Sequence, residues 1–294
     1  MREKLDDLLH ALQAAQTAVI PYLGNGSVFD IDAAATNALR ATLQSCTWGM
    51  RVAIGEGRND DMPGLFRDEF LGNGPFLHEI AVDPIDGTTP AANLGMQQQW
   101  KQGQVVSALA LAPIGTIYYP SGSERRMERI AAPGKGYELS LDASPAENVE
   151  RIAAALRCAR QELTAIVVSP HRNGALIEEL KKIGLPILTP KCGLGLELAA
   201  FIPRLLDRHH IVYGIGGEPE TVVLAAAVRA SGGTLLARLW CLDEEERQAF
   251  VTVGTDVTRV YQENELVRGS CGVVAVGITD GPIPTEGVVL SEEK

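Results

Sequence analysis

The sequence predicts an α/β fold in two parts, and three observations carry that expectation. Apolar residues make up 46% of the 294 positions against 21% charged, which is enough for a sizeable core. Short β-branched runs alternate with helical periodicities, the rhythm of strands joined by helices, which predicts a largely parallel sheet. Ser, Pro and acidic residues cluster over residues 142–147, a soft boundary that divides the chain into 1–144 and 145–294.

Each element follows from local pattern. Leu5, Leu8, Leu9, Leu12 and Val19 recur at helical spacing, predicting a helix over 3–22 that Gly24-Asn25-Gly26 stops. A second helix is predicted from Asp32 to Ser45, with Ala34, Leu39 and Leu43 on its apolar side. Arg51-Val52-Ala53-Ile54 and Glu79-Ile80-Ala81-Val82 read as strands. The uncharged stretch 102–123 carries Pro113-Ile114-Gly115 at its centre, so it reads as two strands around a turn and not as a membrane span. In the second half, strands are predicted at 165–168, 185–188, 211–213 and 272–278. Helices are predicted at 174–182, 196–206 and 218–230, the last opened by Pro219.

Charge narrows the function. There are 26 Lys and Arg against 37 Asp and Glu, a net charge of −11. That disfavours nucleic acid and anionic membranes as partners. An anionic substrate would need local cations, for which bound metal is the obvious source. Residues 1–7 alternate charge without an apolar stretch, so no signal peptide is expected. The five cysteines are scattered with no C-x-x-C, which fits reduced thiols in a cytoplasm.

The sharpest chemical feature is Asp83-Pro84-Ile85-Asp86-Gly87-Thr88 at the end of an apolar strand. Pro84 and Gly87 turn the chain, so two carboxylates can face one point beyond the strand. Hard divalent cations take such oxygen ligands, with water and substrate phosphate completing the shell. Thr88 puts a hydroxyl beside them, and a helix starting there would offer N–H groups to a phosphate. Taken alone, Glu56 between Gly55 and Gly57 reads as a turn residue. Glu220 reads as a carboxylate complementing a helix dipole, and Asp32 as a plain N-cap. Gly214-Ile215-Gly216 is no dinucleotide fingerprint, because Pro219 stands where the third glycine belongs.

Together the strings Val52-Ala53-Ile54-Gly55-Glu56-Gly57, Ile80 through Thr88 and Tyr213-Gly214-Ile215-Gly216-Gly217-x-Pro219-Glu220 resemble the class II fructose-1,6-bisphosphatases. These are a bacterial branch of the lithium-sensitive, metal-dependent phosphatases that include inositol monophosphatases. Met127-Glu128-Arg129, Pro133-Gly134-Lys135-Gly136 and Ala275-x-Gly277-Ile278-Thr279 match in order. The resemblance implies a layered αβαβα sugar-phosphatase fold of two α/β halves: 1–144 as the metal-site half, 145–294 as the C-terminal half, and the active site between them. It implies Mg²⁺ or Mn²⁺ held by Asp32, Glu56, Asp83, Asp86 and Glu220, and catalysis by Thr88 with Asp32. Substrate contacts would be Asp86, Gly87, Thr88, Arg172, Asn173, Gly174 and Gly217, with Arg126 and Lys191, where the chain departs from the family, as candidates for a different anion pocket beside Arg172. The implied substrate is a small phosphorylated sugar, fructose 1,6-bisphosphate first, handled by a cytoplasmic homo-oligomer.

The chain departs from the family at named positions. Position 86 is Asp where the branch has Glu. Arg126 stands for a tyrosine, Lys191-Cys192-Gly193 for an Asp-Gly-Asp loop, and Ser27-Val28-Phe29 supplies no lysine before Asp32. These keep other substrates open: sedoheptulose 1,7-bisphosphate, an inositol phosphate or a nucleotide 3′-phosphate. They also leave open a non-catalytic metal- or anion-binding homologue. A dinucleotide oxidoreductase rests only on the alternation of strands and helices.

Overall fold

The structure is a computed structural model describing residues 1–55, 65–94, 103–118 and 126–292. It opens with α1 (Arg2–Val19), whose Leu5, Leu8, Leu12, Ala15 and Val19 form one wholly buried stripe. Helix α2 (Val28–Gln44) starts a turn earlier than the periodicity predicts, because Ser27 and not Asp32 is its cap, accepting a hydrogen bond from Asp30 N. Asp32 therefore lies inside the helix, buried at 4% exposure. Next come β1 (Gly49–Ile54), β2 (Phe70–Leu71), β3 (Phe76–Asp86), α3 (Thr88–Leu94), β4 (Val106–Pro113) and β5 (Arg126–Ala132).

The chain continues through α4 (Pro145–Leu156), β6 (Leu163–Ile166), α5 (Gly174–Lys182), β7 (Ile187–Leu188), α6 (Leu194–Ala199), β8 (His209–Gly217) and α7 (Glu218–Ser231). It ends with β9 (Thr234–Trp240), α8 (Glu244–Thr252), β10 (Val260–Gln262), α9 (Glu263–Leu266), β11 (Gly272–Gly277) and β12 (Val288–Ser291).

Among the described residues these strands build two six-stranded sheets, ordered β12-β11-β4-β3-β1-β2 and β10-β9-β5-β8-β6-β7. Three buried clusters stack them into layers. One joins α1 and α2 to the first sheet. The central one holds α6 and α7 between the sheets, and the third joins α4 and α5 to the far face of the second sheet. The order is helices, sheet, helices, sheet, helices, as the αβαβα expectation has it. Strand β5 belongs to the second sheet, and β11 and β12 to the first, so the chain passes between the layers more than once.

Two expectations are corrected. The sheets are mixed, not largely parallel. Only β1 with β3, β6 with β7 and β6 with β8 run parallel; β3–β4, β4–β11, β5–β8 and β5–β9 are antiparallel. Strands that arrive from distant parts of the chain need no crossover helix, so local alternation does not set their direction. Of the hairpin expected over 102–123, strand β4 forms and the chain turns at Gly115; beyond the turn Ile117 pairs with Val267 and Tyr118 N donates to Leu266 O, and residues 119–123 lie outside the described residues. Strand β4 is buried on both faces and takes β3 and β11 as neighbours. The predicted helix 196–206 is shorter too. It ends at Ala199, since Pro203 disfavours helical geometry at Ile202. No helix of the described residues is long and apolar enough to cross a membrane.

Candidate metal centre

The end of β3 is irregular, and the irregularity places the carboxylates. Asp83 pairs with Ala108 and Asp86 with Val106, so three steps on β3 oppose two on β4. In a regular strand, residues three apart face opposite sides. The extra residue is a bulge that returns Asp86 to the side of Asp83. Ile85 N donates to Asp83 Oδ1 at 3.1 Å and fixes the turn. Gly87 follows at φ +100°, where a Cβ would lie 2.9 Å from Cys192 Sγ, so only glycine fits.

Glu220 arrives from the other sheet, in the first turn of α7 after β8 ends at Gly217. One carboxylate oxygen each from Asp83, Asp86 and Glu220 lie within 4.8 Å of one another. A Cβ at Gly217 would overlap the Glu220 carboxylate. Gly217→Ala should therefore displace Glu220 and weaken Mn²⁺ binding by about tenfold or more. Calorimetric titration of Mn²⁺ into the variant checks this.

The charges are crowded and buried. Burial pushes the Asp86 carboxyl up to about 7, helped by the Glu220 and Glu197 carboxylates; Leu194 N–H and Arg129 act against it. Leu194 N donates to Asp86 Oδ2 at 2.8 Å. Beneath the cluster, Arg129 donates to Glu197 Oε1 at 2.6 Å and to Thr221 Oγ1 at 2.8 Å. Thr221 in turn donates to Gly217 O at 2.5 Å, tying the start of α7 to the end of β8. Burial raises the Glu197 carboxyl even against Arg129. Glu220 Oε2 is buried and accepts no hydrogen bond among the described residues. An all-oxygen donor set with an orphaned carboxylate oxygen fits a hard divalent cation.

The shift at Asp86 gives a pH dependence. Unfolded, the group titrates at its ordinary 3.8; folded and metal-free, at about 7. Between these values the folded state holds more protons, so stability falls as pH rises through the window. Below it the contribution is fully present, and above it lost. In chelator, the melting temperature should drop from about pH 4 to about pH 7, reflecting a few kcal/mol at most. Asp86→Asn should flatten the profile, as thermal melts across pH will read.

The other expected residues fall in three groups. Thr88 opens α3, which has seven residues. Asp32 lies in α2, which packs on α3, but it is not one of the residues within the 4.8 Å cluster. Glu56 lies outside the described residues. On the substrate side, Arg126 is paired in register with Gly217 across β5 and β8. Arg172 is exposed, and burial and then the neighbouring Arg126 lower its pKa while Glu220 raises it. The register puts Arg126 at the end of β8 from which α7 carries Glu220. Lys191 is exposed beside Cys192, and Gly174 faces open space.

Asn173 is different: its amide donates to Val168 O at 2.7 Å and Ile215 O at 3.1 Å and accepts from Ile215 N at 2.8 Å. It is 3% exposed and clamps the 168–173 loop to β8. Its side chain thus positions Arg172.

Sequence reasoning gave Arg129 only as part of a family string, with no role, and missed Glu197. The signal was there, a lone cation in the run 127–132 and a lone carboxylate in 194–200.

The chain matches the family described as bacterial fructose-1,6-bisphosphatase, glpX-encoded, over residues 2–294. It is 31% identical over 297 residues to the Escherichia coli (strain K12) protein named fructose-1,6-bisphosphatase 2 class 2, covering 94% of this chain and 88% of that one. It is 32% identical over 290 residues to the Haemophilus influenzae fructose-1,6-bisphosphatase class 2, with 92% and 83% covered. To the Escherichia coli fructose-1,6-bisphosphatase 1 class 2 it is 30% identical over 305 residues, with 98% and 87% covered.

Proposed function

The chain belongs to the bacterial class 2 fructose-1,6-bisphosphatase family, and we propose that its acidic centre hydrolyses the 1-phosphate of fructose 1,6-bisphosphate to fructose 6-phosphate and inorganic phosphate. It is a phosphoric monoester hydrolase. The observation that carries the assignment of the site is the convergence of Asp83, Asp86 and Glu220 within 4.8 Å, drawn from the end of β3 and the start of α7. Mg²⁺ or Mn²⁺ held by these residues, with Glu56 and Asp32 as further ligands, would neutralise phosphate charge and stabilise the entering and leaving oxygens.

The remaining work falls to the chain's own groups. The Thr88 hydroxyl orients the attacking water and passes its proton toward Asp32. Water attacks in line, the phosphorus inverts, and the sugar O1 leaves and takes a proton, with no phosphoenzyme. Arg126, Arg172 and Lys191 hold the second phosphate, and Asn173 keeps Arg172 in place. The backbone at Gly87 and Gly217 leaves room for the substrate beside the carboxylates. Exposed Phe70, Phe76, Leu77 and Ile114, with the two phenyl rings 5.0 Å apart, support a homo-oligomer.

The test is a phosphate-release panel with Mg²⁺ and Mn²⁺, each with and without Li⁺. Fructose 1,6-bisphosphate should exceed inositol 1-phosphate and a nucleotide 3′-phosphate by about tenfold or more in kcat/KM. Arg126→Ala should raise KM for the bisphosphate with little change in kcat. A better rate on another ester, or no loss at Arg126, would move the substrate.

A further inference from the structure

A second cleft lies beyond the end of α6 that is remote from Asp86. We propose that it binds a small amphipathic anion, an apolar or aromatic body with one hydrogen-bond donor and one negative charge, and that occupancy is transmitted to the acidic centre through α6. The cleft has a volume of about 560 Å³, within the range of small-molecule sites. Leu188 on the edge strand β7, Leu205 and Leu206 after α6, and Pro282 after β11 supply apolar wall.

Two polar groups set the ligand's chemistry. His210 is 8% exposed, and its Nδ1 stands 2.8 Å from Arg208 O. A ring nitrogen beside a carbonyl carries the proton, which leaves Nε2 as an acceptor, and no described group donates to it. Burial lowers the His210 pKa, keeping the ring neutral and requiring a donor on the ligand. Arg208 lines the cleft and enters no ion pair among the described residues. Asp207 also lines it, so the one cation of the lining is matched best by a singly charged anion.

Two arms join the cleft to Asp86. Hydrogen bonds run from Leu205 N to Ile202 O, Ile202 N to Leu198 O and Ala200 N to Leu196 O, so residues 194–205 form one linked segment. Its first residue donates to Asp86 Oδ2, and Glu197 within it holds Arg129. On the other side, Pro282 precedes Ile283, whose N–H and C=O both bond the Gln104 amide, at 2.9 and 2.6 Å. Gln104 leads into β4, where Val106 faces Asp86. The transmission rests on the function proposed above; the binding does not.

The probe is 8-anilinonaphthalene-1-sulfonate, which carries an apolar body, one N–H and one sulfonate. The full chain with Mn²⁺ should give a single saturable fluorescence increase. Leu206→Trp, which fills the cleft, should remove it. Arg208→Glu, at an exposed residue that leaves folding intact, should weaken binding about tenfold. Saturating probe should change phosphate release about twofold or more in the wild type and not in Leu206→Trp. Equal fluorescence in Arg208→Glu and the wild type would overturn the site. A changed sedimentation coefficient for Leu206→Trp would also overturn it, by making the cleft an interface between copies. Binding as expected with unaltered release would overturn the transmission alone. If the wild type releases no phosphate from any ester, the proposed function fails and the titrations still decide the site.

Discussion

Asp83→Asn will reduce phosphate release by about a thousandfold or more while leaving the metal-free protein at least as stable as the wild type. The first half follows from the loss of a charged ligand where a divalent cation supplies several kcal/mol of transition-state stabilisation. The second follows from crowding. Asp83 is 5% exposed and shares one side of the bulge with Asp86, whose own pKa already reports repulsion from Glu220 and Glu197. Removing one negative charge from three carboxylates whose oxygens lie within 4.8 Å lessens the crowding when no cation is present. Thermal melts should reveal a reversal: Mn²⁺ raises the wild-type melting temperature, and barely moves that of the variant. Comparable turnover at saturating metal would remove Asp83 from the mechanism.

Arg129→Met will cost about 3–5 kcal/mol of folding stability, a melting-temperature drop on the order of 10 °C. Arg129 is 1% exposed, and its guanidinium is shared between Glu197 and Thr221. Gly216 approaches so closely that any Cβ there would strike it. Without the arginine, Glu197 keeps a buried charge with no partner, since its second oxygen already has none among the described residues. The double variant Arg129→Met/Glu197→Met separates this from lost packing. Replacing a buried pair by apolar groups of similar size is often neutral, so the second change should restore most of the stability. If the double variant melts as low as the single one, the arginine acts by packing and not by charge.

The contrast between these two sites tracks what the sequence shows. Asp83 and Asp86 were legible because two carboxylates closing an apolar run have nowhere to go but a turn or a ligand. Helices α1, α5 and α7 were legible from apolar spacing, with Gly24-Asn25-Gly26 after α1 and Pro219 at the start of α7. The Arg129–Glu197 pair was not, because its members stand 68 residues apart and each reads as an isolated charge. The same reason hides the sheet order. β4 pairs with β11, whose strand begins at Gly272, and no local pattern names a partner so far along the chain. Helix α4 did carry a signal, the capping box of Ser144 and Glu147, but the same residues read as a polar boundary. Strand β9 alternates buried and half-buried positions, with Arg238 among its apolar residues.

The most direct test of the central claim couples metal binding to turnover in one set of proteins. Mn²⁺ is titrated calorimetrically into the wild type, Asp83→Asn, Asp86→Asn and Glu220→Gln, and phosphate release from fructose 1,6-bisphosphate is measured on the same samples. Loss of Mn²⁺ affinity and of turnover together in all three variants is the predicted result. A variant that binds Mn²⁺ weakly but turns over normally at saturating metal, or one that binds it normally, would contradict a centre built from these three carboxylates.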